Sequence, residues 1–413
     1  QAQGREMAAG HSAVVTDGAE QPCGPAPLVS VTRLPLHTDG RWIVDVHGVR
    51  VKWACVNWAG AEQKDGVVGG LGIQPLQQIT ASVVELGFNC VRMPWSVAHV
   101  LRPRRVEGGR LLGANPQLRG LTSLQLLDEV VKACTSAGLM VIMDNHMSDG
   151  DWCCDNFDGN GLWYTDSWSH ADWIRAHVLV AKRYAQEPLV VAAELRNELR
   201  GARVLGRWRW PAWGGRDPRT DWHSAVQHAS REILRARPEG YLIVVDGLFY
   251  STDFTGLGEE VLEAMRQGAP GRLVLAPHSY SWFFVWFNLL PSEGLLHAAL
   301  NRHWGFTFQG GRSHSLPVWV SEFGTYNDGW HARAGWWPMF VRYLWDHDLD
   351  FAYWRLDGTE SNGTGRDFGA REPFGLLTPS WRVPEGGGAL LGALRRLQEL
   401  RLGPGVGCRG GGR

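Results

Sequence analysis

Short runs rich in β-branched residues alternate along most of the chain with stretches whose apolar positions recur at helical spacing. The runs cover residues 51–57, 89–93, 139–144, 190–195, 242–246, 273–278, 318–323 and 351–355. Leu76, Ile79, Val83 and Leu86 follow the first of them, and Leu124, Leu127, Val131 and Cys134 the second. Trp336, Phe340, Tyr343 and His347 follow the seventh, and each set lines one face of a helix. Strand followed by helix, repeated in this way, predicts a parallel sheet, and eight such units predict a closed (β/α)8 TIM barrel with long loops after its strands. A last helix over 389–400, with Leu390, Leu394 and Leu397 on one side, is expected to complete the ring. Ahead of the first run, segments 42–46 and 49–51 flank a His47-Gly48 turn and predict a hairpin that plugs the bottom of the barrel. Residues 1–27 and 403–413 have no period and are expected to be flexible tails around one catalytic domain, 28–402.

Strand side chains alternate between faces, which places cysteines as well as polar groups. Cys55 precedes Asn57 by two and Cys90 precedes Arg92 by two, so both thiols are expected inside the barrel, close enough to touch. A disulfide between the neighbours Cys153 and Cys154 would be strained, so at least one of them is expected to pair elsewhere or stay free. A bridge from Cys23 to Cys408, or from one of these to the 153–154 loop, is expected to tie down the tails. The cysteine count of 7 leaves at least one thiol over.

Charge and hydropathy remove whole classes of partner. Lys plus Arg (41) against Asp plus Glu (42) provides no basic field for nucleic acid or an anionic membrane. The longest apolar run, 282–290, is well short of the roughly 20 residues of a spanning helix. The protein is expected to act as a secreted monomer whose leader has been removed.

Active sites of such barrels form at the C-terminal ends of the strands. There the chain carries Asn57-Trp58, Arg92, Asp144-Asn145-His146, Arg196-Asn197-Glu198, Asp246, His278-Ser279-Tyr280, Glu322 and Trp354-Arg355. Any one polar strand end is unremarkable, because loops are polar; so many ionisable and aromatic ends on one rim are not. Glu198 and Glu322 end opposing strands. Two carboxyl groups about 5 to 5.5 Å apart are what retaining cleavage of a glycosidic bond needs. In that reading Glu198, its pKa raised, protonates the leaving oxygen, and Glu322, kept ionised by Arg92, attacks the sugar. Asn197 would bond a sugar hydroxyl, His278 and Tyr280 would orient the pair, and Trp354 would stack beneath the ring.

The stretches Val91-Arg-Met-Pro94, Val141-Ile-Met-Asp-Asn-His146, Glu194-Leu-Arg-Asn-Glu198, His278-Ser-Tyr280, Trp319-Val-Ser-Glu-Phe-Gly324 and Tyr353-Trp354 together resemble glycoside hydrolase family 5, the cellulase-like clan of retaining β-glycosidases. The likeness runs in order from about residue 30 to about residue 400. It implies Glu198 as acid/base, Glu322 as nucleophile, and Arg92, His146, Asn197, His278, Tyr280 and Trp354 around the reactive sugar. No cofactor and no metal are implied. Leu199 departs from the Pro that many members carry after the acid/base, and the loop 152–162 is similar to one in plant-type members.

A metal-dependent hydrolase on the same fold would also gather Asp144, His146, His278 and Glu322, but no His-x-His ends the first run. A non-catalytic carbohydrate-binding barrel would have no reason to keep both Glu198 and Glu322. Serine-hydrolase and phosphate-loop signatures are absent, and the glycines at 66–72 are read as a rim loop. The substrate expected is a β-1,4-glucan cut internally, then β-mannan, or a glycosylceramide received by the apolar segment 282–290. Trp152, Trp163, Trp168, Trp208, Trp210, Trp213, Trp282, Trp286 and Trp330 are expected to line an extended sugar cleft.

Overall fold

The computed structural model describes residues 24–155, 157–284, 292–309, 315–386 and 388–406. Its strands are β1 (His37–Asp39), β2 (Trp42–Val44), β3 (Ala54–Asn57), β4 (Cys90–Ser96), β5 (Met140–Met147), β6 (Val190–Glu194), β7 (Ala202–Val204), β8 (Arg207–Arg209), β9 (Leu242–Asp246), β10 (Leu273–Ala276), β11 (His278–Ser279), β12 (Trp319–Phe323) and β13 (Asp350–Tyr353). Each expected run is a strand. They pair in parallel in the order β10, β9, β6, β5, β4, β3, β13, β12. The ring closes where Leu275 bridges Val318 and donates its N–H to the Pro317 carbonyl at 2.9 Å. The fold is a (β/α)8 barrel.

Alternation along the strands divides the core in two. Trp53, Cys55, Cys90, Met140, Ile142, Val191, Leu242, Val244, Val274, Trp319 and Ala352 point inward and fill the barrel. Cys55 and Cys90 are register partners and form a disulfide. Their intervening neighbours point outward onto the helices. The helix Leu76–Glu85 buries Leu76, Ile79 and Val83; the helix Ser123–Ser136, opened by a Thr122/Gln125 capping box, buries Leu124, Leu127, Val131 and Cys134. Cys134 is a free thiol, and burial pushes its pKa up to about 12.

Much of the tryptophan is structural. Trp173 and Trp222, each on a helix, bury their rings and donate Nε1–H to Leu195 O and Asp246 O, both at 3.0 Å, at the ends of barrel strands. Fully burying one indole removes on the order of 200 Å² from water and contributes about 5 kcal/mol. Trp163 packs on both, and Trp168 is 4% exposed with its Nε1–H on Asp149 Oδ1 at 2.7 Å. These two do not face the cleft. Their apolar bulk and single donor are satisfied under the loops, where the rings are worth more to folding than in water.

The bottom is plugged as expected, but with a different ladder. β1 pairs β2 through a turn at 40–41, while 49–51 adds only an isolated Val44–Arg50 bridge after the Gly48 turn. Arg50 turns inward instead, to Asp348 and Asp350, and Lys52 joins it on Asp348. The last helix spans Gly388–Leu397, ending before the expected residue 400 because 399–400 pair with 24–25. Residues 24–27 and 403–406, within segments expected to be tails, are thus joined to the barrel: Ala26 N–H to Gln398 O at 2.7 Å, Arg50 N–H to Pro404 O at 2.9 Å. The expected Cys23–Cys408 bridge lies outside the described residues.

Candidate active site

The C-terminal rim gathers the strand ends into one network centred on Arg92. Its side chain is fully buried on β4 and donates to Glu194 Oε1 and Oε2 at 2.8 and 2.7 Å, Asn57 Oδ1 at 2.9 Å, Glu322 Oε2 at 2.9 Å and Asn197 Oδ1 at 2.8 Å. Asp144 completes the set at 3.1 Å. Burial alone would lower the guanidinium pKa, but the carboxylates of Asp144, Glu194 and Glu322 outweigh it and raise it well above the ordinary value. Asn57 turns its Nδ2 to Ser321 O and Tyr353 O at 3.1 and 3.2 Å, so it is a strut beneath the site. Asn197 is held with its oxygen on Arg92, and its amide nitrogen lies 3.4 Å from His146 Nε2 and 3.5 Å from Cys153 Sγ.

Glu322 and Glu198 face each other over this base. Glu322 accepts the Tyr280 hydroxyl on Oε1 at 2.8 Å and Arg92 on Oε2. Glu198 meets His278 Nδ1 at 2.9 Å, while His278 Nε2 bonds Ser321 Oγ at 3.0 Å. Burial pushes the His278 pKa down to about 4, so the ring is neutral at working pH. Oxygens of Glu198 and Glu322 and a nitrogen of His278 lie within 4.8 Å of one another. That geometry resembles a metal cage, but its donor set is already engaged by Tyr280, Arg92 and Ser321. Burial pushes the pKa of each glutamate up to about 7. The expected pull of Arg92 toward an ionised Glu322 is present but is opposed by burial. Arg92 divides its charge among three carboxylates, and desolvation with the nearby Glu198 acts against it. The two glutamates still differ: Glu322 is bonded by a guanidinium and a phenol, whereas Glu198 meets one nitrogen of a neutral imidazole and the two sulfurs.

Cys153 and Cys154 are bonded to each other, contrary to the expectation that one pairs elsewhere. The loop turns both sulfurs to one side, over Glu198, with Oε2 2.9 Å from Cys154 Sγ and 3.8 Å from Cys153 Sγ. Neither sulfur of a disulfide carries a hydrogen, so this contact favours Glu198 in its protonated form. Glu198 itself sits at φ +46°, a left-handed conformation that costs a non-glycine residue about 1–3 kcal/mol. The Asn197 N–H on Asn145 O and the Arg200 guanidinium on Glu198 O, both at 3.0 Å, hold it there.

The cavity above the pair measures about 570 Å³ and is lined by His146, Trp152, Tyr250, Tyr280, Trp282, Trp354 and Phe374 among others. Trp354 stacks on His146 with ring centres 5.5 Å apart and planes 7° from parallel, and Trp282 stacks on Tyr280 at 4.1 Å. His146 is locked by Asp144 Oδ2 on Nδ1 at 2.7 Å, and burial lowers its pKa to about 3. Of the apolar segment 282–290, Trp282 is exposed at the cavity mouth and residues 285–290, with Trp286, lie outside the described residues. Glu194, which the sequence reading placed in a motif without a role, is the second anchor of Arg92. The two-residue alternation that points Ala192 inward would have identified it.

A barrel whose mouth holds two buried glutamates at this spacing, over an aromatic-walled cavity, is the framework of a glycoside hydrolase. The family model of cellulases, glycosyl hydrolase family 5, matches residues 44–360. The chain is 30% identical over 404 residues to a glycosyl hydrolase 5 family protein of Chamaecyparis obtusa, covering 90% of this chain and 68% of that one. It is 28% identical over 369 residues to an endoglucanase of Paenibacillus polymyxa, with 84% and 83% covered. Among solved structures, the catalytic domain of the major endoglucanase of Xanthomonas campestris superposes with a TM-score of 0.68 at 26% identity, over 88% of this chain and 99% of that one. The chain belongs to glycosyl hydrolase family 5 and is a glycosidase.

Proposed function

We propose that the protein is a secreted retaining endo-β-1,4-glucanase, with Glu322 as nucleophile and Glu198 as acid/base. The observation that carries the reading is the unequal setting of two adjacent carboxyls: Glu322 bonded to Arg92 and Tyr280, Glu198 set against a neutral imidazole and a disulfide. With oxygens within 4.8 Å there is no room for a water between Glu322 and the anomeric carbon, so the carboxylate itself attacks. Glu198 gives its proton to the leaving oxygen. Once deprotonated it takes a proton from the water that then displaces Glu322 from the covalent ester, and two inversions return the β configuration. In this reading the Asn197 amide bonds the sugar 2-hydroxyl, and Trp354 carries the apolar face of the same ring. His146 and Asn57 act through their neighbours, the first by backing Trp354 and the second by holding Arg92.

The glucan assignment draws on relatives named as endoglucanases, and the open cavity suits a chain bound along its length. Two disulfides among the described residues suit an oxidising compartment, and one relative is named an extracellular endoglucanase. Carboxymethylcellulose, mannan and a glucosylceramide offered side by side test the substrate, with fastest cleavage expected on the cellulose derivative. Proton NMR of the earliest product tests the mechanism: a β-anomer is expected, and an α-anomer appearing before mutarotation would remove Glu322 as nucleophile.

A further inference from the structure

Four aromatic rings stand exposed in a row beside the acid/base. Phe157 is 81% exposed, Trp208 48%, Trp210 58% and Phe249 47%. Neighbouring ring centres are 5.8 Å apart from Phe157 to Trp208, 6.4 Å from Trp208 to Trp210 and 6.3 Å from Trp210 to Phe249. Soluble proteins seldom leave so much contiguous aromatic surface in water without a use for it. The row also joins the catalytic cavity, because Tyr250, next to Phe249, lines that cavity and packs on Phe283 at 6.1 Å.

The elements that present the rings are fastened to the segment that carries Glu198. Trp208 and Trp210 come from the hairpin β7–β8 and the residue after it, a few positions beyond Glu198. The Trp210 ring lies directly on Gly201, where an added Cβ would come within 2.6 Å of it. Arg200 bonds Glu198 O, Asp155 O and Asp158, and so ties the Phe157 loop to the same segment. Phe249, Tyr250 and Ser251 all hold positive φ, of 50°, 59° and 56°. That conformation is fixed by the Tyr250 N–H on Leu199 O at 3.0 Å and by Ser251 Oγ on Ala276 O at 2.5 Å. Three consecutive non-glycine residues in this region mark a segment shaped for its position rather than for its own comfort.

Chemistry assigns the side of the bond. If Glu198 protonates the leaving oxygen, the part of the substrate that departs lies on the Glu198 side, away from Glu322 and Trp354. We infer that Phe157, Trp208, Trp210 and Phe249 form a platform for the departing, reducing-end portion of a β-glycan chain, binding several sugars beyond the cleaved bond. The C–H faces of β-linked pyranoses are flat and apolar; Trp208 and Trp210, with planes 19° apart, are two rings of like orientation, and Phe157, edge-on to Trp208 at 78°, and Phe249, tilted 40° from Trp210, extend the apolar surface at either end. Exposed Arg203, the register partner of Trp208 across the hairpin, supplies N–H donors for hydroxyl groups on the same face.

This platform rests on the glycosidase reading, and the test separates the two. The wild type and the double variant Trp208→Ala, Trp210→Ala are compared on an aryl β-cellobioside, which has no sugar on the departing side, and on a cello-hexasaccharide labelled at its reducing end. The ratio of kcat/KM for hexasaccharide to aryl glycoside is expected to fall about tenfold or more in the variant. The labelled product is expected to shift toward shorter sugars, as binding beyond the bond is lost. The double variant Trp208→Phe, Trp210→Phe keeps the rings and is expected to restore most of the ratio. An unchanged ratio and product pattern in the alanine variant, with the wild type active on both substrates, overturns the platform alone. A wild type that cleaves neither substrate overturns the endo-β-1,4-glucanase reading on which the platform rests. A larger loss on a glucosylceramide than on the hexasaccharide assigns the rings to a lipid and also overturns the proposal.

Discussion

Replacing Tyr280 by Phe removes one oxygen and leaves the ring stacked on Trp282. The phenol donates to Glu322 Oε1 at 2.8 Å inside a buried site, with Tyr280 only 2% exposed. A hydrogen bond to a charged acceptor there contributes about 1.5–3 kcal/mol to the ionised form, and one pKa unit corresponds to about 1.4 kcal/mol. The sign follows from which form is bonded. The hydroxyl bonds the carboxylate, so its loss favours the acid and moves the Glu322 pKa upward from about 7 by roughly one to two units. At pH 7 the ionised fraction then falls from about a half to between roughly a tenth and a hundredth. The acidic limb of kcat/KM, which reports the free enzyme, should climb by the same one to two units, narrowing the bell from its acid side. Because the two glutamates titrate near each other, the limbs belong to the pair, and the direction of the acid limb is the decisive readout. An acidic limb that stayed in place or moved down would mean that the phenol does not hold the carboxylate ionised.

Glu322→Gln should abolish turnover, whereas Glu198→Ala should spare substrates with activated leaving groups and lose the basic limb; equal loss on activated and ordinary substrates would refute the assignment of Glu198. Trp354→Ala should weaken turnover without shifting either pH limb, since the indole has no titratable group; a shifted limb with near-normal turnover would contradict stacking. Replacing Cys55 and Cys90 by Ala opens a loop with a sequence separation of 35 and should lower the unfolding free energy by about 4 kcal/mol in a urea titration. A loss well under 1 kcal/mol would mean that the unfolded chain gains little from its release.

What the sequence alone determined is everything that depends on local period. Alternation within each run put Cys55 with Asn57 and Cys90 with Arg92 on the inner face, and the strand ends named His146, Glu198, Tyr280, Glu322 and Trp354 of the cavity wall, but not its loop residues Tyr250 and Phe374. The helix faces at 76–86, 123–136 and 336–347 were legible for the same reason, since burial of a repeating face needs no knowledge of the partner. Tertiary structure decided who meets whom. Glu194 became an anchor of Arg92 only because closing the barrel brings β4 and β6 to either side of β5, and burial, against an Arg92 shared among three carboxylates, left Glu322 near pH 7. Cys153 and Cys154 paired because a loop folded over Glu198, which no spacing rule expresses. Trp163 and Trp208 look alike as loop tryptophans, yet one is buried under Trp173 and Trp222 and the other lies open on the β7–β8 hairpin. Their difference is a difference in surroundings, and surroundings are set by contacts between segments far apart in the chain.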